Sequence, residues 1–274
     1  MKLPLILILD IDQTIIGDFC TFEKEYNILN NLPDNKKLLV KYNLFLDNYL
    51  KSINFIRPYL LDFIKLMKDK YEKVEIFLYT TSTFKRVEFL EKVFSKYFKF
   101  KKIYSRKESI GNYYKSILVI YDDIIKTLKL TKHKKEILEN NIIFIDDRAN
   151  ILIDYTEKQI VCTKYNNIYT YDLQAKLLKD YDIDILKNEE IVQSFNAKKH
   201  YMYYYDPNSI YYENKDFYLY NLKKLMIQRK EVILNKYDDF FLRLIEIIKK
   251  EKYKLFNKET IENINKLLII DNDK

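Results

Sequence analysis

Glycine, tryptophan and cysteine are nearly missing from this chain of 274 residues, which has 2 Gly, no Trp, 2 Cys, 4 Pro and 2 His. Two cysteines, Cys20 and Cys162, cannot make a disulfide framework, so the expected setting is a reducing compartment, cytoplasmic or nuclear. Cys162 falls in the apolar run Gln159 to Thr163 and reads as core. No apolar run is long enough to cross a bilayer, and no signal-peptide cleavage pattern precedes the first predicted strand, so no membrane partner is expected. The histidines His133 and His200 stand alone and read as surface or structural residues. Scarce Gly, Pro and Trp beside abundant Lys, Asn, Ile and Tyr fit AT-rich coding, so the Lys and Tyr totals specify no function.

What is present begins with enough apolar matter for a core, 48% of residues. The length exceeds the usual single domain and favours one α/β domain with an appendage. A charge of +8 and a pI near 9.0 suit an acidic, phosphorylated or nucleic-acid partner, although lysines spread over every exposed face would give the same figures.

The chain is organised around Leu5 to Gly17, LILILDIDQTIIG. Five apolar residues run into Asp10, Ile11, Asp12, Gln13 and Thr14, so a fully buried strand ends in two acids and a hydroxyl. Alternation along an extended chain puts Asp10 and Asp12 on the same side, about 6 to 7 Å apart. At that spacing one carboxylate can bind a metal and attack phosphorus while the other handles the leaving-group proton. Taken alone, such acids are more often a solvated turn or a helix N-terminus, so the motif needs partners.

Three partners follow in order. After a polar connection, with a flap and an amphipathic piece over Lys37 to Tyr49, Arg57-Pro58 opens a predicted helix to Lys70, with Pro58 at its first position. A second buried strand, Val74 to Tyr79, ends in Thr80, Thr81, Ser82 and Thr83, ahead of a helix from Lys85 to Tyr97. Ser82 or Thr83 can cap that helix while Thr80 donates to an oxyanion. Beyond a short strand near Lys102 to Ser105 comes Lys115, and then Asn141 to Arg148, NIIFIDDR, where four apolar residues again give way to acids, Asp146 and Asp147. Crowded carboxylates repel unless a divalent cation neutralises them, and an oxygen-rich site suits Mg²⁺. Alternating strands and helices predict a parallel sheet wrapped by helices, with ligands beyond the carboxyl ends of the strands.

Asp10, Asp12 and Thr14, then Thr80, Lys115 and Asp146-Asp147, resemble the four motifs of the haloacid dehalogenase superfamily in their sequence order. More narrowly, the Ile-Arg-Pro at 56 to 58, the strand from Tyr71 to Ser82 and the Tyr-Tyr-Lys at 113 to 115 resemble the RNA polymerase II C-terminal-domain phosphatases and the small CTD phosphatases. The chain departs from the usual family form at Gln13 and at Ile15-Ile16, and carries Asp147 where the small CTD phosphatases carry Asn. The resemblance implies Asp10 as nucleophile, forming an aspartyl-phosphate, and Asp12 as general acid and base. It implies phosphate binding by Thr80, with Thr81 beside it, and by Lys115. It also implies Mg²⁺ held by Asp10, the backbone carbonyl of Asp12, and Asp147, with Asp146 the alternative.

The expected architecture is therefore a Rossmann-like α/β core over residues 1–189 and a mostly helical appendage over 190–274. The appendage includes helical spacing from Leu219 to Lys250 and from Glu259 to Ile270, and an aromatic connector, His200 to Tyr212. It carries none of the motifs, so a chain truncated near residue 190 is expected to keep its chemistry if it folds. The expected activity is a Mg²⁺-dependent phosphatase acting on phosphoserine or phosphothreonine in a phosphorylated protein or peptide. The alternatives are a nucleic-acid or nucleotide phosphatase reached through the basic surface, and a silent scaffold.

Overall fold

A computed structural model describes residues 3–17, 55–165 and 238–270, together with Val40, Leu44, Asp47 and Leu50. Its centre is a parallel sheet in the order β3-β2-β1-β4-β5. The strands are β1 (Leu5–Leu9), β2 (Val74–Tyr79), β3 (Ile103–Tyr104), β4 (Ile142–Asp146) and β5 (Gln159–Val161). Every residue of β1 and β4 is buried, which is why both strands read as unbroken apolar runs rather than as alternating ones.

The helices are α1 (Leu60–Lys70), α2 (Phe84–Phe94), α3 (Ile117–Thr127), α4 (Lys134–Asn140), α5 (Phe240–Glu251) and α6 (Lys258–Ile270). Ile6 and Ile8 of β1, Phe77 and Tyr79 of β2, and Ile142 and Phe144 of β4 join one apolar cluster with Ile117, Ile120 and Ile124 of α3 and Ile137 of α4. The period of two sends Leu5, Leu7 and Leu9 to the opposite face, where they are equally buried. The α/β class and the parallel sheet are as expected. The helix expected from Pro58 starts later: Tyr59 sits at its N-cap with φ 62 and Leu60 is its first residue, so Pro58 lies in the turn before it. The stretch after Lys115 forms α3.

The chain divides into two compact units. One comprises Met1–Gly17, Ile56–Asn166 and Tyr237–Lys274, and contains the sheet and the six helices named above. Within it α5 packs on α1, with the Phe241 ring 5.4 Å from Phe63. Helix α6 covers the outer edge of β5, where Asn265 accepts from the Val161 amide at 3.1 Å and donates to the Gln159 carbonyl at 2.8 Å, satisfying groups that an edge strand leaves open. The other unit comprises Asp18–Phe55 and Asn167–Lys236. There Val40, Leu44, Asp47 and Leu50 are helical, and the Phe55 amide donates to the Leu50 carbonyl at 3.2 Å. The flap after Asp18, the helix expected over Tyr171 to Leu186, the aromatic connector from His200, and the boundary near residue 189 lie outside the described residues.

Candidate active site

Strand order reverses at β1, whose carboxyl end lies beside that of β4, and open parallel sheets hold ligands at such a switch point. Leu9 is paired with Ile145, and the Asp10 amide still donates to the Ile145 carbonyl at 2.9 Å. Asp10 and Asp146 are thereby delivered side by side. Beyond Asp10 the chain turns sharply: the Ile15 and Ile16 amides both donate to the Ile11 carbonyl at 3.1 Å, and Gln13 takes φ 63.

Asp10, Asp146 and Asp147 converge, each offering a carboxylate oxygen within 4.8 Å of the others. Lys115, 1% exposed, donates to Asp10 and, at 2.7 Å, to Asp146. Its ammonium also lies 5.5 Å from the centres of the Tyr79 and Phe144 rings. The backbone explains how one lysine among many arrives here. The Lys115 amide donates to the Ile151 carbonyl at 2.9 Å and its carbonyl accepts from Ile153 at 3.1 Å. The next residue, Ser116, caps α3 by accepting from the Val119 amide at 3.1 Å, and Asp154 binds the Ser116 hydroxyl and the Ile117 amide.

Burial, reinforced by Asp146, pushes the Asp10 carboxyl up to about 8 against the pull of Lys115. Burial and then Asp146 also raise Asp147. Burial opposes the Lys115 charge, but Asp10 and Asp146 together hold it above its ordinary value. Excess negative charge in a dry site calls for a cation, and three hard oxygen donors suit a divalent metal such as Mg²⁺. Asp147 Oδ2 is buried without a hydrogen-bond partner, whereas Asp146 engages Lys115 through Oδ2 and the Arg148 amide, at 2.9 Å, through Oδ1. The donor set therefore fits a metal, with Asp147 better placed than Asp146 to give it a free oxygen.

Asp12 stands apart from this cluster. Its carboxylate accepts from Thr80 Oγ1 at 3.1 Å and Ser82 Oγ at 2.9 Å, and is ion-paired with Arg86. The Thr80 loop is shaped from below: the Ser82 amide donates to Thr80 Oγ1 at 3.0 Å, and Arg106 reaches the Thr81 carbonyl at 2.7 Å through Nε and the Ser82 carbonyl at 2.9 Å through its amide. Thr81 thus enters this network through its backbone. Thr83 is the N-cap of α2, without a side-chain cap bond, and Ser82 turns to Asp12 instead. Thr14 links the first loop to the last acids, accepting from the Asp147 amide at 3.0 Å and donating to Asp147 Oδ1 at 3.3 Å.

Sequence reasoning did not find Arg86, whose available signal was an arginine in the first turn of the helix after the Thr80 strand. Arg57 entered there as part of a helix start and of the Ile-Arg-Pro that carries the family resemblance, not as a residue of the site. Cys162 is core, as expected, with burial pushing its thiol up to about 12. His133 is exposed on Glu136, and His200 lies outside the described residues.

A family model described as NLI interacting factor-like phosphatase matches residues 5–193. The chain belongs to this family. Every candidate site residue from Asp10 to Asp147 lies inside the match, in agreement with the resemblance to CTD phosphatases. Among solved structures, the chain is similar to the fission yeast RNA polymerase II CTD phosphatase Fcp1, an arginine-to-alanine variant bound to beryllium fluoride. That pair is 18% identical with a TM-score of 0.40, over 90% of this chain and 62% of the other. A second structure, of Fcp1 as an essential RNA polymerase II CTD phosphatase, is 19% identical with a TM-score of 0.32, over 91% and 66%. The chain thus spans less than two thirds of the length of either. No curated protein matches the chain. Among the described residues no helix is long and apolar enough to cross a membrane.

Proposed function

We propose that the chain is a Mg²⁺-dependent phosphomonoester hydrolase that works through an aspartyl-phosphate on Asp10 and acts on phosphoserine or phosphothreonine in proteins. The observation that carries the reading is the meeting of Asp10, Asp146 and Asp147 around Lys115 at the ends of β1 and β4. Membership of a phosphatase family supports the reaction class, and CTD phosphatases as structural neighbours suggest the substrate class.

In the first half-reaction an Asp10 oxygen attacks phosphorus, the P–O bond to the substrate breaks, and Asp12 gives its proton to the departing oxygen. In the second, Asp12 takes a proton from water as the water oxygen attacks the phosphoenzyme, and phosphate leaves with the Asp10 carboxylate restored. Lys115 holds the phosphoryl oxygens, and the Thr80 hydroxyl, which donates to Asp12 in the structure, turns to join it, with Thr81 contributing to the loop that presents them. Asp10, Asp147 and the Asp12 carbonyl would hold the cation, with Asp146 beside them. When bound, the metal would neutralise the negative charge that nucleophile and phosphate bring together.

The substrate reading is tested by phosphate release from a phosphoserine peptide and from a 3′-phosphorylated oligonucleotide, with and without Mg²⁺. Faster Mg²⁺-dependent release from the peptide is expected. Faster release from the oligonucleotide would overturn the protein-phosphatase reading.

A further inference from the structure

Arg57 is 1% exposed, the largest of the fully buried side chains among the described residues, and it binds three segments at once. Nε and Nη2 grip the two Asp238 oxygens at 2.8 Å each, in the fork arrangement that fixes a guanidinium most firmly. Nη2 also donates to Thr163 Oγ1 at 3.0 Å, and Nη1 donates to the Thr14 carbonyl at 3.1 Å. The Phe240 ring, at the start of α5, lies 4.8 Å from the guanidinium carbon. From the backbone, the Arg57 amide donates to the Ile15 carbonyl at 2.8 Å.

Thr14 is the residue through which this clamp reaches the site. Its carbonyl is held by Arg57, while its hydroxyl exchanges two hydrogen bonds with Asp147. Arg57 and Thr14 lie inside the family match, which ends at residue 193, and Asp238 lies beyond it. A residue within the phosphatase core is therefore oriented by a carboxylate supplied from outside the matched span.

We infer that Asp238 is a positioning residue: it holds Arg57 against the Thr14 carbonyl so that the Thr14 hydroxyl aims Asp147, an inference that rests on the reading of Asp147 as a metal ligand. The chain of contacts is continuous and buried at Arg57 and Thr14, where hydrogen-bond geometry is least screened by water. Removing the Asp238 charge frees one side of the guanidinium fork and loosens the loop that carries Asp10, Asp12 and Thr14. Metal affinity and turnover should then suffer before substrate binding does. A clamp that only held the fold together would change the melting temperature and leave the metal titration alone.

The test uses the full chain as wild type, Asp238→Asn and Asp238→Glu. Mn²⁺ binding is followed by calorimetry, melting by circular dichroism, and kcat and KM with a small aryl phosphate. In the folded variants the half-saturating Mn²⁺ concentration should rise about 3- to 10-fold, less than the roughly 10- to 100-fold typical when a group bonded directly to a ligand is lost. kcat should fall comparably with KM unchanged. Asp238→Glu keeps the charge and moves the fork by one methylene, so it decides the matter should Asp238→Asn fail to fold. Wild-type Mn²⁺ affinity and kcat in a folded variant would overturn the inference. A wild-type chain that binds no Mn²⁺ would overturn the metal reading of the site, and this inference with it.

Discussion

Arg86, in the first turn of α2, is ion-paired with Asp12 at a separation of 74 residues, and the same carboxylate accepts hydroxyl bonds from Thr80 and Ser82. Three donors fix its direction. If Asp12 handles the proton of the leaving group, its aim matters as much as its presence, because general acid catalysis depends on reach and angle. Arg86→Leu should keep the fold and lower kcat on an aryl phosphate about 10-fold, short of the roughly 100- to 10,000-fold that positioned proton transfer contributes. Steady-state kinetics beside a melting curve checks this, and an unchanged kcat in a folded variant would remove Arg86 from the account.

Asp146 and Asp147 are adjacent yet differently committed. Both oxygens of Asp146 are engaged, one by Lys115 and one by the Arg148 amide, while Asp147 keeps a buried oxygen without a partner. Asp147→Ala should therefore raise the Mg²⁺ concentration for half-maximal rate by about 10-fold or more. Asp146→Ala should act mainly on kcat, by releasing Lys115. A Mg²⁺ titration unchanged in Asp147→Ala would transfer the ligand role to Asp146.

Much of this arrangement was legible in the chain. β1 and β4 are buried on both faces, so they appear as apolar runs stopped by acids, and that abrupt stop located Asp10, Asp146 and Asp147. Lys115 was found by its order after the Thr80 strand; its identity among 48 basic residues carries no signal. Arg86 and Asp238 were not legible. An ion pair across 74 or 181 residues leaves no local pattern, and α2 and α5 show only which positions are apolar. The periodicity of α5 announced a helix, but its seat on α1 depends on Phe63 and Phe241 meeting in three dimensions.

Proton and metal should compete for Asp10. Burial and Asp146 raise its carboxyl from 3.8 to about 8 in the metal-free chain. Between those values the native state binds more protons than the unfolded one, so metal-free stability falls as pH rises through that window. A cation displaces the proton, and the gain in melting temperature from saturating Mg²⁺ should be larger at about pH 8 than at about pH 6. Melting curves with and without Mg²⁺ at the two pH values check the sign, and an equal or smaller gain at the higher pH would contradict it.

The C-terminal helices are part of the folded unit that carries the site. Phe240, Phe241, Leu244, Ile245, Ile247 and Ile248 of α5 are all buried. Each such side chain contributes about 1.5 to 3 kcal/mol, so together they rival the roughly 5 to 15 kcal/mol that holds an ordinary domain. A chain ending near residue 190 should therefore be aggregated or loosely folded and inactive, unlike the expectation from motif positions alone. A soluble truncation with a cooperative melt and full activity would show that α5 and α6 are dispensable.

Nucleophilic attack by Asp10 is tested most directly by Mg²⁺-dependent phosphate release from a small aryl phosphate, with the wild type beside Asp10→Asn. The amide keeps the shape of the carboxylate and removes its attacking charge. Release by the wild type, with less than about 1% of that rate in a folded Asp10→Asn, is the predicted result, since an aspartyl nucleophile leaves no alternative route of comparable speed. A folded Asp10→Asn that turns over at a rate near the wild type would contradict the mechanism at its first step.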